Sequence, residues 1–277
     1  MNSQINLTVI SNNHALDNFE SEHGFSLLIE TDEKITLFDT GNGSAFTHNI
    51  KKLGINKFKL DNLVISHGHY DHCGNIPIIL NSYPNIVTYI HPKAVQERFS
   101  IHPERDPVVR YVGINSESKA FLTQIVPIWT STPTQVTQRL NVTGEIPRES
   151  IEDTGGPFFL DKEGIIPDII PDDQTIWITT TDGLVVITGC CHSGIINTIN
   201  YIKKVSGISK VRTVIGGLHL LHASRERLDK TIDYLNSLNL QSVYPGHCTG
   251  EQVIEELKVK LNTNVISVHA GDKINID

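Results

Sequence analysis

The chain has 277 residues, 39% hydrophobic and 19% charged, the composition of an ordinary globular protein able to bury a sizeable core. Its formal net charge of −8 argues against a broad surface for nucleic acid or anionic membrane. No apolar run reaches transmembrane length, and Met1-Asn2-Ser3-Gln4 begins no secretory signal, so a cytoplasmic protein is expected.

Ile5 to Ile10 and Phe25 to Thr31 read as strands, and an Asp32-Glu33 turn leads into a third at Ile35 to Asp39, so the chain is expected to begin as an antiparallel sheet edge. Ser44 is placed to cap a helix over 45–53 that stops at Gly54. Asp39 ends its strand, where it serves either as a turn carboxylate or as an acceptor that orients a metal-bound histidine.

The apolar run Leu63-Val64-Ile65 feeds Ser66-His67-Gly68-His69-Tyr70-Asp71-His72-Cys73-Gly74-Asn75. Four side chains able to bind metal, His67, His69, Asp71 and His72, fall within six residues there. Imidazole and carboxylate donors suit zinc, manganese or iron, whereas structural zinc sites mostly use paired cysteines. In an extended loop His67 and His69 can turn to one centre while Asp71 and His72 face another, so the residues themselves propose a site for two divalent metals.

A helix is expected over 74–82, a strand over 86–90, and a short helix opening at His91-Pro92, which puts His91 at a strand end as a candidate substrate contact. From about 99 to 173 periodicity decays and prolines recur, with β-like stretches at 121–125 and 135–142. Such a segment in one domain spanning 1–277 reads as an insertion covering the site. Arg148 within it is a candidate anion contact or a surface residue.

Order returns with a hairpin over 175–188 about Asp182-Gly183, followed by Gly189-Cys190-Cys191-His192 and a helix over 195–205. A strand over 211–215 precedes Gly216-Gly217-Leu218-His219 and a helix over 225–238. A strand over 242–244 precedes Pro245-Gly246-His247-Cys248-Thr249, where Thr249 and Gln252 form a capping box. Residues 265–269 are expected to close the sheet. His192, His219 and His247 thus each follow a short apolar strand, as open sheets present functional groups. The cysteines, Cys73, Cys190, Cys191 and Cys248, read as small buried residues lining a tight site in preference to thiolate ligands, and the remaining histidines, including His23 and His102, as surface or structural.

With His67-Gly68-His69-Tyr70-Asp71-His72, the middle His192 and the late Pro245-Gly246-His247, the chain resembles the metallo-β-lactamase-fold superfamily of metal-dependent hydrolases over nearly its whole length. The resemblance implies an α/β (α+β) four-layer αββα sandwich, two mixed sheets flanked by helices with the metals at one edge. It implies one metal on His67, His69 and His192 and a second on Asp71, His72 and His247, zinc first, with manganese or iron as alternatives. Asp71 is then also the catalytic residue that directs a metal-activated hydroxide onto a small anionic, phosphorylated ester.

The segments 143–148, 183–195, 216–220 and 246–250 are similar to the branch containing dihydropteridine aminobenzene-phosphate synthases of methanopterin biosynthesis, which implies an alternative transferase releasing diphosphate. Redox chemistry at a di-iron pair is a third class the superfamily supports. One position departs from its pattern: Gly216-Gly217 stands where most members have Gly-Asp with a metal-bridging carboxylate. His219, two residues on, is then a substitute ligand or a substrate contact.

Overall fold

A computed structural model describes residues 4–32, 34–55, 60–102, 106–150 and 156–276. Glu33 of the expected first turn and parts of the insertion, 103–105 and 151–155, lie outside the described residues.

In chain order the first half contains β1 (Ile5–Ser11), β2 (Ser26–Thr31), β3 (Lys34–Phe38), α1 (Ser44–Leu53), β4 (Asn62–Val64), α2 (Tyr70–Cys73), α3 (Ile76–Ser82) and β5 (Val87–Ile90). There follow β6 (Phe99–His102), β7 (Asp106–Tyr111), α4 (Ser116–Leu122), β8 (Ile128–Trp129), β9 (Thr134–Gln135), β10 (Leu140–Val142) and β11 (Phe158–Phe159). The second half contains β12 (Ile176–Thr180), β13 (Gly183–Thr188), α5 (Ile195–Ser206), β14 (Val211–Gly216), α6 (Arg225–Ser237), β15 (Ser242–Pro245), α7 (Glu251–Lys260), β16 (Asn264–Val265) and β17 (Lys273–Ile276).

Two seven-stranded mixed sheets result, ordered β17-β1-β2-β3-β4-β5-β8 and β16-β15-β14-β13-β12-β10-β9, with a small third sheet β11-β6-β7. Alternation along each strand explains the layers, because successive side chains point to opposite faces. Leu27, Ile29 and Phe38 from the first sheet meet Ile178, Val185 and Ile187 from the second in one buried cluster. The intervening Leu28 and Leu37 face outward onto Phe46, Ile50, Ile76 and Ile79 of α1 and α3. Leu184 and Val186 likewise face Ile195, Ile199, Leu228 and Ile232 of α5 and α6. Both sheets are therefore buried on both faces, giving the αββα order, and each large apolar side chain so buried contributes about 1.5–3 kcal/mol.

Several local expectations are corrected. The first strand is not an edge, since β17 pairs antiparallel with it, and only β16 of the expected closing strand forms, parallel to β15. Residues 121–122 end a helix, not a strand, because Asn115 Oδ1 accepts from Ser118 N (2.7 Å) and starts α4. Thr249 does not cap α7, whose N-cap is Gly250; its hydroxyl instead accepts from Leu218 N (3.0 Å). Gly43, not Ser44, is the N-cap of α1. The insertion is less detached than its prolines imply: β8 extends the first sheet, while β9 and β10 extend the second. No helix among the described residues is long and apolar enough to cross a membrane.

The segment before β12 fastens the two halves together. Arg98, fully buried, pairs with Asp168 (2.7 Å) and bidentately with Asp172. Asp172 Oδ2 also accepts from Gly68 N (2.8 Å), and its neighbour Asp173 accepts from Ser193 N (2.7 Å) through Oδ2. Adjacent carboxylates thus hold a loop of each half. Replacing Arg98 by Met would strand two buried carboxylates, so R98M should lose about 3–5 kcal/mol in urea unfolding; a loss under about 1 kcal/mol would show that the cluster is dispensable.

Candidate metal centre

The loops carrying the candidate donors leave the carboxyl ends of neighbouring strands. Asp39 follows β3, the His67–His72 loop follows β4, and His192, His219 and His247 follow β13, β14 and β15. The parallel pairing of β3 with β4, and of β13 with β14 and β15, aligns those ends at one rim. There the backbone is bent hard: Asp39, Cys191, His219 and His247 have φ of 61°, 63°, 49° and 50°. Left-handed geometry costs a residue with a Cβ on the order of 1 kcal/mol, and such outliers cluster where a site over-determines the backbone.

Two buried donor sets result. In one, ligand atoms of His67, His69 and His192 lie within 4.8 Å of one another. His67 Nε2 and His69 Nδ1 are 3.0 Å apart. In the other, Asp71, His72, His247 and Cys190 converge. His72 Nε2 lies 3.1 Å from His247 Nε2, and Asp71 Oδ2 lies 3.5 and 3.3 Å from these two atoms.

Hydrogen bonds on the far side of three rings decide which nitrogen faces inward. Asp39 accepts from Ser66 N (2.6 Å) and Ser66 Oγ (2.7 Å), and its Oδ2 lies 2.7 Å from His72 Nδ1. Ser66 Oγ, its proton given to Asp39, accepts from His67 Nδ1 (2.9 Å). His247 Nδ1 donates to Asn13 Oδ1 (2.9 Å), while Asn12 Oδ1 accepts from His247 N (2.9 Å). With each Nδ1 proton so engaged, the Nε2 lone pairs of His67, His72 and His247 point into the centre, the arrangement that orients metal-binding histidines.

Burial shapes the charge of these groups. It drives the His67 ring well below its ordinary pKa and, with Arg98 adding to it, takes His69 down to about 3, so both are neutral donors. For Asp71 burial acts the other way, but His72 and His247 outweigh it and hold the carboxyl far below the usual carboxylate range. Burial favours a neutral His72, yet Asp71 and Asp39 overcome it and push the ring up to about 9. Tetrahedral zinc with bonds of about 2.0–2.1 Å sets its nitrogen donors roughly 3.3 Å apart, so the spacings here fit a metal ion.

Comparison with known proteins agrees. The family model described as the metallo-beta-lactamase superfamily matches residues 22–199. The chain belongs to that superfamily. It is 33% identical to an uncharacterised protein of Methanocaldococcus jannaschii, over 98% of this chain and 100% of that protein. It is 30% identical, over 91% of this chain and 90% of the relative, to the 7,8-dihydropterin-6-methyl-4-(β-D-ribofuranosyl)-aminobenzene-5'-phosphate synthase of the same organism. Among solved structures it is similar to Tm1679, a metal-dependent hydrolase of the β-lactamase superfamily, at 29% identity and a TM-score of 0.85, covering 99% of each chain. Members of the superfamily bind metal ions, and the two donor sets have the chemistry to do so here.

A cavity of about 250 Å³ is lined by His69 and His192 of one donor set and Asp71, Cys190 and His247 of the other, together with His23, Tyr70, Ser100, His102, Arg110 and Phe158. His219 lines it as well, its ring 4.3 Å from that of His192. Two expected substrate contacts lie elsewhere. Arg148 Nη1 donates to the His192 carbonyl (2.8 Å) and its Nη2 to the Ile169 carbonyl, so it braces the His192 loop from behind. His91 caps the turn at Pro92–Val95, its Nδ1 accepting from Lys93 N (3.1 Å).

Sequence reading set aside residues the structure brings in. His23, which reads in sequence as a surface or structural histidine, is exposed at the surface, and its Nε2 also sits 3.3 Å from Asp71 Oδ2; its position near a strand start carries no signal for that contact. His102 and Arg110 come from β6 and β7, whose weak alternation hid them. Cys190 reads in sequence as a packing residue and joins the second donor set in the structure; Gly189-Cys190-Cys191-His192 already puts it two residues from a ligand candidate.

Because Asp39 aligns His72 directly and His67 through Ser66, Asp39→Ala should weaken metal binding by about 10–100-fold while the chain stays folded. Competition against a chromophoric chelator measures this; unchanged affinity would remove Asp39 from that role.

Proposed function

We propose that the protein is a metal-dependent hydrolase of small phosphorylated esters, with two divalent metal ions, zinc first, held by His67, His69 and His192 and by Asp71, His72 and His247. The observation that carries this reading is one cavity shared by both donor sets and lined also by the cationic Arg110 and the hydrogen-bonding side chains of His102 and Ser100. When bound, the metal ions supply Lewis acidity and lower the pKa of water.

The chain's own groups supply the rest. Arg110 and Ser100 bind the anionic head group of the substrate. Asp71, kept ionised by the imidazoles around it, accepts a hydrogen bond from the attacking water and so fixes its direction. His219 and His23 flank the reacting centre and contact the substrate's oxygens, and Phe158, its ring 4.8 Å from that of His69, shields one side from solvent. A volume of about 250 Å³ lies under the roughly 300–1,000 Å³ of common ligand pockets, which favours a small ester.

The relative named as a synthase supports a second reading, transfer of a pterin to an aminobenzene nucleophile with release of diphosphate. A cavity this small does not favour two aromatic substrates held together. Incubating the metal-loaded protein with a panel of phosphate esters, and separately with a pterin diphosphate and an aminobenzene phosphate, separates the two. Phosphate release is expected from the esters; diphosphate release without it would favour transfer. Arg110→Ala should raise KM for the best ester roughly tenfold, the loss of one charge-assisted hydrogen bond, with a smaller change in kcat. An unaltered KM would take Arg110 out of substrate binding.

A further inference from the structure

The usual bridging carboxylate is missing from this chain, and the reason is steric. A Cβ built on Gly217 would lie 2.6 Å from Cys248 Sγ and closer still to the Gly189 carbonyl oxygen, with Cys190 Cα at 3.4 Å. No side chain fits there unless the loop carrying Cys190 moves. The space in which a carboxylate would begin is filled by the Cys248 sulfur and by the backbone of Gly189 and Cys190.

Cys190 occupies the ground between the two donor sets instead. Its Sγ lies 3.1 Å from His72 Nε2 and 3.2 Å from His247 Nε2, the nitrogens whose lone pairs face inward. The same sulfur also groups with ligand atoms of His192 and His219, all within 4.8 Å of one another. It is the member common to the Asp71, His72 and His247 set and to a set containing His192, and the residue is buried, 4% exposed. Cys248, the other thiol at this rim, donates to the Cys190 carbonyl oxygen (3.5 Å) and also has hydrogen-bond contacts with the Cys190 side chain and His219, but it joins none of the donor groups among the described residues.

We propose that the Cys190 sulfur, as a thiolate, takes the place of the absent carboxylate and is the ligand shared between the two metal positions, with Cys248 as packing beside it. The assignment rests on the reading of a metal centre given above. The thiol proton passes to solvent as the sulfur coordinates, and no electron is transferred. A soft thiolate among imidazoles biases the centre toward zinc, iron or cobalt and away from manganese.

Cobalt(II) is the probe, because zinc has a filled d shell and gives no ligand-field spectrum. Titrated with cobalt, the wild-type chain is expected to take up two equivalents and show a sulfur-to-cobalt charge-transfer band in the near ultraviolet. In Cys190→Ser that band should vanish. The visible bands of the histidine set should remain, and the second equivalent should weaken by more than the roughly 10–100-fold that loss of an outer partner costs. Cys248→Ser should keep the band.

A band that survives in Cys190→Ser, or is lost in Cys248→Ser, overturns the assignment. If the wild type binds two equivalents with no sulfur band, the thiolate role fails while the metal centre stands; if it binds none, both fail. Should Cys190→Ser not fold, X-ray absorption on zinc-loaded Cys248→Ser decides: a sulfur shell at about 2.3 Å supports the assignment, and nitrogen and oxygen alone refute it.

Discussion

Several imidazole lone pairs, a carboxylate and a thiol are pressed together in a place from which water has been largely removed, and the rest of the molecule is arranged around that fact. His72 Nε2 and His247 Nε2 face each other at 3.1 Å with Asp71 Oδ2 close to both. In water such donors would be solvated and would drift apart. In a dry rim the whole set repels itself unless something positive lies among it. A divalent cation satisfies all of it, which is why this geometry reads as a centre built for metal.

Holding the donors in that arrangement takes an extensive scaffold. The sandwich supplies stiffness, since both faces of each sheet are buried and the strand ends cannot shift independently. Behind the rim, Asp39, Ser66, Asn12 and Asn13 fix the ring planes. Asp172 and Asp173 then tie the early loop to the middle one, while Arg148 supports the His192 carbonyl. The left-handed residues at Asp39, Cys191, His219 and His247 are the local cost of turning each chain sharply out of its strand and back toward the centre.

Crowding at the same rim links the composition of the centre to its fold. Glycine at 217 and cysteine at 248 are one packing solution: the Cys248 sulfur and the Gly189 carbonyl take the room that a larger side chain at 217 would need. The small cavity belongs to the insertion as much as to the sandwich, because Ser100, His102, Arg110 and Phe158 all come from the third sheet. The cavity wall therefore comes partly from an element separate from the one that holds the donors.

The donor set was legible in sequence because its signal is local. His67, His69, Asp71 and His72 share one loop, and His192 and His247 each follow a short apolar strand, so the pattern survives without coordinates. The layer order came through the family resemblance that those motifs carry, while the apolar runs by themselves indicated strands without saying how the sheets stack. Interactions between distant segments were not. That Asn12 and Asn13 orient His247, that β17 returns to cover β1, that Arg148 turns inward to a carbonyl while Arg110 faces the cavity, and that Cys190 stands between two histidine sets all depend on where separate segments meet. Periodicity and motif spacing describe what a segment can become; which side chains end up facing each other is set by packing across the two sheets, and only the folded chain decides it.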